Sequence, residues 1–454
     1  MGMSLSTRSS DEKLWQPTAE VPRTLDEEAP RTLTVRDQIG LWANLGISLM
    51  GFAGAIVVLQ PHGPGTAQLG IPQAMLAIVV GTIIGTAAIA VAGLPGARTG
   101  QPAMVLLRGL FGGRLSYLPT GLNIVQLIGW GVFEIVIIAT AVTTLTDVPR
   151  WPVIVVAGLL SIALSIYPLK WVKVLRRYVT AAVVIAMIYL GIRLLADGLP
   201  HHSGGGWSGF AISVDACIAV SVSWVPVVAD YSRHSTSPRA SVIGTFTGYA
   251  VTQICCYGLG LAFLIQVAGD TNKVFAAFLA VPLGALCFTI ISVREVDQSF
   301  VDLYSATMSI QNIRPRWDRR IISVVLGVLI TVLALSINIY GFAGFLTLIG
   351  SVFVPLLAVM VVDYFGAGGR RTWDLTEQAR HRPLMLLPWV VGFVAYQMTS
   401  PGEVDRWSSL WVHLDDAVGF VPQEWMSASV CSFIVAAVAT AAVHLAARAL
   451  GRRA

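Results

Sequence analysis

Residues 44–54 of the chain read Asn-Leu-Gly-Ile-Ser-Leu-Met-Gly-Phe-Ala-Gly, an apolar run with glycines at positions 46, 51 and 54. A second interrupted run, Ser-Val-Ser-Trp-Val-Pro, lies at residues 221–226, where the proline removes a backbone donor from a helix. Breaks of this kind expose N–H and C=O groups that can bind a polar solute or an ion inside a membrane. Glycine and proline also serve helix packing in membranes, which is the alternative interpretation.

The composition indicates that both runs lie in a lipid bilayer. Of the 454 residues, 55% are hydrophobic and 12% are charged, whereas a soluble protein has about 25% charged residues. A soluble chain of this length needs more polar surface than these residues supply, so we predict an all-α membrane protein. The net charge of +5 is too small and too dispersed for a nucleic-acid-binding surface.

Long apolar runs predict about twelve transmembrane helices, since a helix that crosses the hydrocarbon core needs about 20 mainly apolar residues. The runs lie near residues 40–60, 71–94, 116–145, 152–168, 174–195, 211–231, 240–268, 281–311, 321–340, 342–363, 383–399 and 427–447. The two interrupted segments fall in the first and the sixth run. This spacing of five helices favours a five-plus-five inverted repeat with broken helices 1 and 6.

The basic residues predict which loops face the cytoplasm. With a cytoplasmic N-terminus, 25 of the 30 Lys and Arg residues fall in cytoplasmic segments and four fall in external ones. Cytoplasmic loops of membrane proteins carry such an excess of positive charge. We therefore expect a multi-pass protein of the cell membrane with both termini in the cytoplasm.

This topology divides the chain into four regions. We expect a disordered cytoplasmic tail at residues 1–37, a first five-helix repeat at 38–197, a second inverted repeat at 207–365, and two C-terminal helices with a short tail at 380–454. We expect the chain to work in the lipid bilayer as a monomer.

The third helix carries a polar stripe. Gln126, Trp130 and Glu134 follow one another at steps of four residues and lie on one face, with Asn123 beside them. An indole can stack on a flat aromatic solute, an amide can bond the edge of its ring, and a carboxylate can carry a proton or bind a cation. The alternative is a seam of hydrogen bonds between helices.

The eighth helix carries the most unusual polar group. Arg294, Glu295, Asp297 and Asp302 place four ionisable side chains within nine residues, and Ser299 shares a face with Glu295 and Asp302. Unpaired charges in a bilayer are costly, so these groups must line an aqueous path or pair with one another. Arg294 and Asp297, three residues apart, can form such a pair. A purely structural network of ion pairs is the alternative.

Asp230 and Arg233, at the cytoplasmic end of the sixth helix, are also three residues apart. They can pair at the cytoplasmic mouth as a gate or an anchor, and we expect a structural or gating role for them and no contact with the solute. The histidines show no metal-ligand spacing, and the five cysteines lie in apolar runs without a CxxC pair. We therefore expect neither a metal site nor a cofactor beyond a coupling ion.

Three motifs resemble those of the nucleobase:cation symporter-1 family, the purine-cytosine permeases. They are Ser223-Trp-Val-Pro-Val-Val-Ala-Asp-Tyr-Ser-Arg233, Leu122-Asn-Ile-Val-Gln-Leu-Ile-Gly-Trp130 and Phe300-Val-Asp-Leu-Tyr-Ser-Ala306. The resemblance spans roughly residues 38–450 and is greatest for the bacterial hydroxymethylpyrimidine and cytosine branch. It implies a twelve-helix carrier that imports a nucleobase or a similar heterocycle with Na⁺ or H⁺ by alternating access.

The resemblance also implies roles for individual residues. In relatives a tryptophan of the third helix stacks on the solute and a nearby glutamine bonds it, and Trp130 and Gln126 match these positions. Unwound residues of helices 1 and 6 and a polar residue of helix 8 complete the pocket. Their counterparts in this chain are Phe52, Ala53, Ser221, Ser223 and Asp302. Asp302 is a departure, because relatives often have asparagine there.

A second departure concerns the coupling ion. Sodium-coupled relatives place a Ser/Thr pair of helix 8 against carbonyls of helix 1, where this chain has Asp297 and Gln298. A titratable carboxyl group in place of hydroxyls favours coupling to H⁺, although Asp297 could equally ligate Na⁺. Glu134 and Glu295 are further candidates for binding the coupling ion.

Other functions remain as alternatives. A carrier of the same fold for a hydantoin, allantoin or an amino acid is one, although an amino-acid pocket needs no stacking tryptophan. A channel is another, although no pore-loop repeat is visible. The sequence contains no HExxH, GxSxG or DDxxD motif, so we do not expect an enzyme.

Overall fold

A computed structural model describes residues 20–61, 68–196, 198, 205–267, 278–336, 342–402 and 404–450. Within helices it leaves the side chains at positions 50, 53, 170–177, 195 and 342–343 undescribed. The described secondary structure is helical apart from two isolated bridges, Leu33 with Ser235 and Leu69 with Gly206. The predicted all-α class is thus confirmed.

Each of the twelve predicted spans corresponds to a helix or to a pair of short helices. The helices are α1 (Val35–Leu45), α2 (Leu49–Leu59), α3 (Ile71–Thr99), α4 (Ala103–Phe111), α5 (Tyr117–Leu145), α6 (Arg150–Ile166), α7 (Pro168–Ala196), α8 (Phe210–Val222), α9 (Val228–Ser232), α10 (Pro238–Gln266), α11 (Gly284–Ile313), α12 (Arg319–Ser336), α13 (Phe342–Val361), α14 (Gly369–Thr372), α15 (Leu386–Thr399), α16 (Asp405–Val418) and α17 (Ala428–Ala449). A π-helical turn, Val362–Gly366, extends α13.

Six segments of the described chain are, by length and composition, able to cross a membrane on their own. They are α3, α5, α10, α12, α17 and the segment Gly344–Gly366 that contains α13. The first and sixth spans are each divided into two short helices, and α11 carries the ionisable groups noted above. The remaining spans α6, α7 and α15 contain shorter apolar stretches.

The helix contacts repeat themselves when each helix of the first five spans is exchanged for its counterpart five spans later. α1 packs on α10, and its counterpart α8 packs on α3, the counterpart of α10. In the same way, α7 packs on α1 as α13 packs on α8, and α5 packs on α12 as α11 packs on α6. The counterparts α3 and α10, α5 and α11, and α6 and α12 pack directly on each other. Two repeats related by a pseudo-two-fold axis require this pattern, and the predicted five-plus-five arrangement is confirmed.

Both predicted interruptions are present. The helix-1 break, residues 46–48, separates α1 from α2, and the helix-6 break, residues 223–227, separates α8 from α9. At Gly46 a Cβ atom would lie 2.9 Å from the Tyr249 carbonyl oxygen of α10. Gly51 and Gly54 lie inside α2, where a Cβ atom would meet Cys256 and Tyr257 of α10. These two glycines serve close helix packing, while Gly46 belongs to the break itself.

The structure describes residues 20–37 of the segment that was expected to be a disordered tail, and they are ordered against the helices. Residues 1–19 lie outside the described part, and Thr34 caps α1. The segment between them, residues 20–34, which we call the N-terminal strap, lies against the helix ends. The carbonyl oxygen of Arg23 accepts a hydrogen bond from the Gln311 side chain at 2.7 Å, and the Pro30 carbonyl lies 2.8 Å from Nδ1 of His234.

Three helices of the described chain fall outside the predicted spans: the four-residue α14, and the longer α4 and α16. Neither of these two longer helices contains the 20 apolar residues that identify a membrane span, because α4 has 9 residues and α16 has 14. The α4 helix is nevertheless fully buried, and its first backbone N–H, that of Ala103, is bound by the carboxylate of Asp230 at 2.8 Å.

A candidate solute and ion site at two broken helices

The two breaks meet the polar faces of α5 and α11 at one cavity. Its volume is about 40 Å³, room for roughly three water molecules. Eight of its lining residues are Gly46 and Ser48, Ser223 and Trp224, Trp130 and Glu134 of α5, and Gln298 and Asp302 of α11. Trp130 and Asp302 thus line the same cavity.

Trp130 and Glu134 are one helical turn apart on α5 and are 9% and 3% exposed. The indole of Trp130 packs edge-on against Phe345 of α13, with 5.4 Å between the ring centroids and 68° between the ring planes. Edge-to-face packing of this kind fixes the orientation of an aromatic ring. The structure therefore places a held indole and a carboxyl group side by side at the cavity.

Gln126, one turn before Trp130, does not line this cavity. Its side-chain amide donates to the Oδ1 atom of Asn123 at 2.6 Å, and Asn123 donates to the hydroxyl of Ser309 on α11 at 2.9 Å. These bonds form the interhelical seam that was the alternative interpretation of the polar stripe. A solute contact of Gln126 remains a prediction that requires this seam to open.

Of the pocket residues expected from helices 1 and 6, one lines the cavity and two do not. Ser223 lines the cavity, and its hydroxyl donates to the Val220 carbonyl at 2.7 Å. Ser221 instead donates to the side chain of Gln253 at 2.9 Å, and the ring of Phe52 packs against Phe278 at 5.0 Å. Neither Ser221 nor Phe52 is among the cavity-lining residues. The side chain of Ala53 lies outside the described residues.

Side chains of α11 hold both ends of the helix-1 break. At the end of α1, Gln298 donates to the carbonyl oxygen of Leu45 at 3.0 Å, and Asp297 accepts a hydrogen bond from the Asn44 amide at 2.6 Å. At the start of α2, the carboxylate of Glu295 accepts the backbone N–H of Leu49 at 2.5 Å. Three side chains of one helix thus satisfy groups at a break that would otherwise be buried without partners.

The ion pair that the spacing allows between Arg294 and Asp297 is not formed. Arg294 Nη1 lies 3.3 Å from the Oε2 atom of Glu295, and both side chains are fully buried. Asp297 is turned toward α1 by its bond to Asn44. The hydroxyl of Ser299 accepts a hydrogen bond from Ser161 of α6 at 2.9 Å.

Asp230 and Arg233 do not form the ion pair that their spacing allows. Asp230 binds the N-terminus of α4 through Ala103. Arg233 Nη2 lies 3.4 Å from the hydroxyl oxygen of Tyr304, and its Nε donates to Nε2 of His234 at 3.2 Å. The two side chains thus find partners on different elements, and their gating role stays a prediction.

Sequence reasoning missed several cavity-lining residues. Trp224 lies inside the run that identified the helix-6 break, and its ring packs edge-on against Trp42 at 6.2 Å. Tyr249, Gln253 and Tyr257 line the cavity from α10. Because they are four residues apart, they form a stripe on one helix face. This spacing could have identified them, but the search for polar groups followed charged residues, and this span contains none.

The arrangement offers chemistry for a polar aromatic molecule and for a cation. The cavity presents two indoles, those of Trp130 and Trp224, two carboxyl groups and the residues of two helix breaks. Among the described residues, no group of three or more His, Cys, Asp or Glu side chains is arranged to hold a metal ion.

Comparison with known proteins identifies relatives. The family model for permeases for cytosine/purines, uracil, thiamine and allantoin matches residues 33–383. The vitamin B6 transporter TPN1 of Saccharomyces cerevisiae is 23% identical over 363 residues, which cover 72% of this chain. The matched part spans only 60% of the length of the yeast protein.

Two solved structures share the fold. Mhp1, a nucleobase-cation-symport-1 family transporter in a closed conformation with bromovinylhydantoin bound, matches with a TM-score of 0.70 and 17% identity, over 95% of this chain and 96% of that chain. A Na⁺-coupled sialic acid symporter in an outward-open state matches with a TM-score of 0.61 and 12% identity, over 93% and 92% of the two chains. Both proteins are transporters and not enzymes. Since the family model covers most of its length, this chain belongs to the nucleobase:cation symporter-1 family, the permeases for cytosine/purines, uracil, thiamine and allantoin.

Proposed function

We propose that the protein is an ion-coupled symporter that imports a nucleobase or a related flat heterocycle, such as cytosine, a purine or hydroxymethylpyrimidine. It works by alternating access in the cell membrane, with both termini in the cytoplasm, and H⁺ or Na⁺ drives uptake. The observation that carries this proposal is the meeting of Trp130, Glu134 and Asp302 at one cavity between the two helix breaks.

The chemistry of these three side chains suits a flat heterocycle. The face of an indole offers a stacking surface, and offset or edge-on aromatic contacts contribute about 0.5–1.5 kcal/mol beyond area burial. Carboxyl groups on two sides of the cavity can bond ring N–H and amino groups, which nucleobases carry on their edges. An aliphatic solute has no ring that stacks on the indole face.

The size of the cavity supports alternating access. A volume of about 40 Å³ is far below the roughly 300 Å³ of an ordinary ligand pocket. A heterocycle therefore enters only when α1, α2, α8 and α9 move relative to α5 and α11. Such motion usually occurs at broken helices, because few backbone hydrogen bonds connect the two halves of the helix.

A second candidate function is transport of a related heterocycle that is not a nucleobase. The family description includes allantoin and thiamine, one structural relative has a hydantoin bound, and the yeast relative is named for vitamin B6. Asp302 favours this class if its carboxyl group bonds a donor-rich solute edge. An amino-acid carrier and a channel remain outcomes of the test below.

A thermal-shift screen of the purified protein identifies the solute. The panel contains cytosine, uracil, purines, hydroxymethylpyrimidine, allantoin, hydantoins and pyridoxine, with aromatic and aliphatic amino acids as a separate group. A ligand at 100 times its Kd stabilises the folded state by about 2.7 kcal/mol, which raises the melting temperature measurably. Shifts by amino acids alone would contradict the proposal.

Proteoliposomes then separate a carrier from a channel. Accumulation of the radiolabelled solute above its external concentration, driven by an imposed H⁺ or Na⁺ gradient, is expected of a symporter. Equilibration without accumulation under either gradient would reject ion coupling. Empty liposomes and liposomes with heat-denatured protein are the controls.

A further inference from the structure

We infer that the coupling ion is a proton held between Glu134 of α5 and Glu295 of α11. The inference rests on the proposed function and names the ion-binding group within that site. It follows from three observations: the contact between the two carboxyl groups, the partners of Glu295, and the position of Glu134 at the cavity.

The carboxyl groups of Glu134 and Glu295 are in hydrogen-bonding contact. Glu134 is 3% exposed and Glu295 is fully buried. Two carboxylates cannot share a hydrogen bond, because neither carries a donor, and like charges in a buried site repel strongly. The contact therefore requires one proton for the pair.

The partners of Glu295 decide which residue carries this proton. Glu295 accepts the N–H of Leu49 at 2.5 Å and lies 3.3 Å from the guanidinium of Arg294. A backbone donor and a cation both favour the ionised form of a carboxyl group. Glu295 is thus the carboxylate, and Glu134 is the acid that donates to it.

The other charged and titratable groups around the pair do not supply a second cation. Asp297 and Asp302 on α11 are carboxyl groups, and Tyr249 and Cys256 face Arg294 and Glu295 from α10. Glu134, Glu295 and Asp297 are three carboxyl groups that interact with the buried Arg294, and Asp302 interacts with Glu134. A proton on Glu134 removes one of the charges that Arg294 cannot balance.

The carbonyl oxygen of Leu45 already has a donor, because the amide of Gln298 stands 3.0 Å from it. A bound cation at the end of α1 would have to displace this amide. Asp297 is likewise engaged by Asn44. The Leu45 carbonyl and the Asp297 carboxylate are therefore both engaged by protein donors, which favours a proton elsewhere over a sodium ion held by these two groups.

The pair connects the proton to the movement of helix 1. Protonated Glu134 and the N-terminus of α2 both bind Glu295, so α5, α11 and α2 are held together. Loss of the proton leaves two carboxylates in contact, and the repulsion between them disturbs the bond between Glu295 and the N-terminus of α2. Since Glu134 lines the cavity, the closed arrangement binds proton and solute together, and each increases the affinity for the other.

Infrared spectroscopy of the purified protein tests the pair without any solute. The wild type is expected to show the C=O stretching band of a protonated carboxylic acid at neutral pH. Glu134→Gln is expected to remove a component of this band, and Glu134→Asp to restore it at a shifted position. Glu424→Gln, at an exposed glutamate, is the matched control and is expected to leave the band unchanged.

A band unaltered in Glu134→Gln overturns the inference. Loss of the same component in Asp297→Asn but not in Glu134→Gln places the proton on Asp297 and overturns it as well. If the heterocycle screen finds no ligand, the proposed function fails, while the infrared result still decides whether the pair holds a proton.

Proteoliposomes containing a pH-sensitive dye provide the transport measurement, with cytosine and hydroxymethylpyrimidine as the first solutes. We expect the wild type to admit protons together with solute. Glu134→Gln should reduce accumulation driven by a pH gradient at least tenfold while solute exchange persists. Accumulation driven by Na⁺ alone, or undiminished accumulation in Glu134→Gln, would contradict the inference.

Discussion

At the residue scale, Trp130 carries the recognition that we propose. Its indole lines the cavity and is held by Phe345. We expect Trp130→Ala to weaken solute binding about tenfold, since aromatic contacts contribute up to about 1.5 kcal/mol, and Trp130→Phe to retain part of the affinity. Calorimetric titration measures the change.

The exposed Trp425 offers a matched control for this variant. It is 73% exposed and distant in sequence from the cavity-lining residues. Trp425→Ala should bind solute as the wild type does. Equal affinity of Trp130→Ala and the wild type would show that the indole does not stack on the solute.

The residue scale is also where prediction from sequence was weakest. Gln126 and Glu134 are each one helical turn from Trp130, in opposite directions. The stripe predicts that all three share a face, but it does not predict where along that face the packed seam ends and the cavity begins. Close packing of α5 on α11 assigns Gln126 to the seam and Glu134 to the cavity.

The pairings that the spacing allows on α11 and at the end of α9 are not formed, for a related reason. A spacing of three residues allows Arg294 and Asp297 to meet, and likewise Asp230 and Arg233. Partners on other helices compete, however. Asp297 accepts a hydrogen bond from Asn44, and Asp230 accepts one from the N-terminus of α4. Such tertiary contacts are not visible in the sequence of one helix.

At the scale of elements, both helix breaks were predicted because glycine and proline mark them directly. Gly46 allows α1 to approach α10 so closely that a larger side chain would collide with the Tyr249 carbonyl and with Thr252. We expect Gly46→Val to destabilise the protein by about 1–3 kcal/mol and to abolish transport. Thermal unfolding and uptake measure the two effects.

Gly121 of α5 is the matched control for Gly46. Nothing lies within 4 Å of a Cβ atom placed there. Gly121→Ala should keep the melting temperature of the wild type or raise it slightly, since alanine favours the helix over glycine. A Gly46→Val protein as stable and active as the wild type would contradict the close approach.

The N-terminal strap provides a prediction on pH. Burial, with the neighbouring charge of Arg233, lowers the pKa of His234 to about 3, and His234 contacts the Pro30 carbonyl of the strap. Because the neutral form is favoured in the packed state, its contribution is complete above the ordinary pKa of about 6.5. That contribution declines as the pH falls from there toward 3.

We therefore expect the strap to loosen as the pH is lowered from 7 to 5. Hydrogen–deuterium exchange of residues 20–34, corrected for its intrinsic pH dependence, should increase over this range in the wild type. In His234→Gln the corrected exchange should not vary with pH. Strap exchange that is independent of pH in the wild type would exclude His234 as the cause.

At the scale of the whole molecule, the family and the twelve-span architecture followed from composition, the two breaks and the three motifs. The confirmed inverted repeat gives each helix a counterpart five spans later. The helices α4 and α16 escaped prediction because, with 9 and 14 residues, neither has the roughly 20 apolar residues that identify a membrane span. The volume of the cavity depends on how all these helices pack, and it could not be predicted from the sequence.

Orientation in the membrane can be tested with two exposed loops. Asp147, between α5 and α6, is predicted to be external, and Arg316, between α11 and α12, to be cytoplasmic. In intact cells a membrane-impermeant maleimide should label Asp147→Cys above the level of the parent protein, and Arg316→Cys only after permeabilisation. The reverse pattern would show that the termini are external.

The N-terminal strap is anchored at both sides of the moving parts. Arg23 is bonded to Gln311 at the end of α11, while Pro30 and Leu33 contact the segment that follows α9. In the proposed alternating access, α9 moves relative to α11, and the distance between these anchors is expected to change. Energy transfer between two fluorophores at the ends of the strap would therefore report each conformational change of the transport cycle, with no probe near the solute.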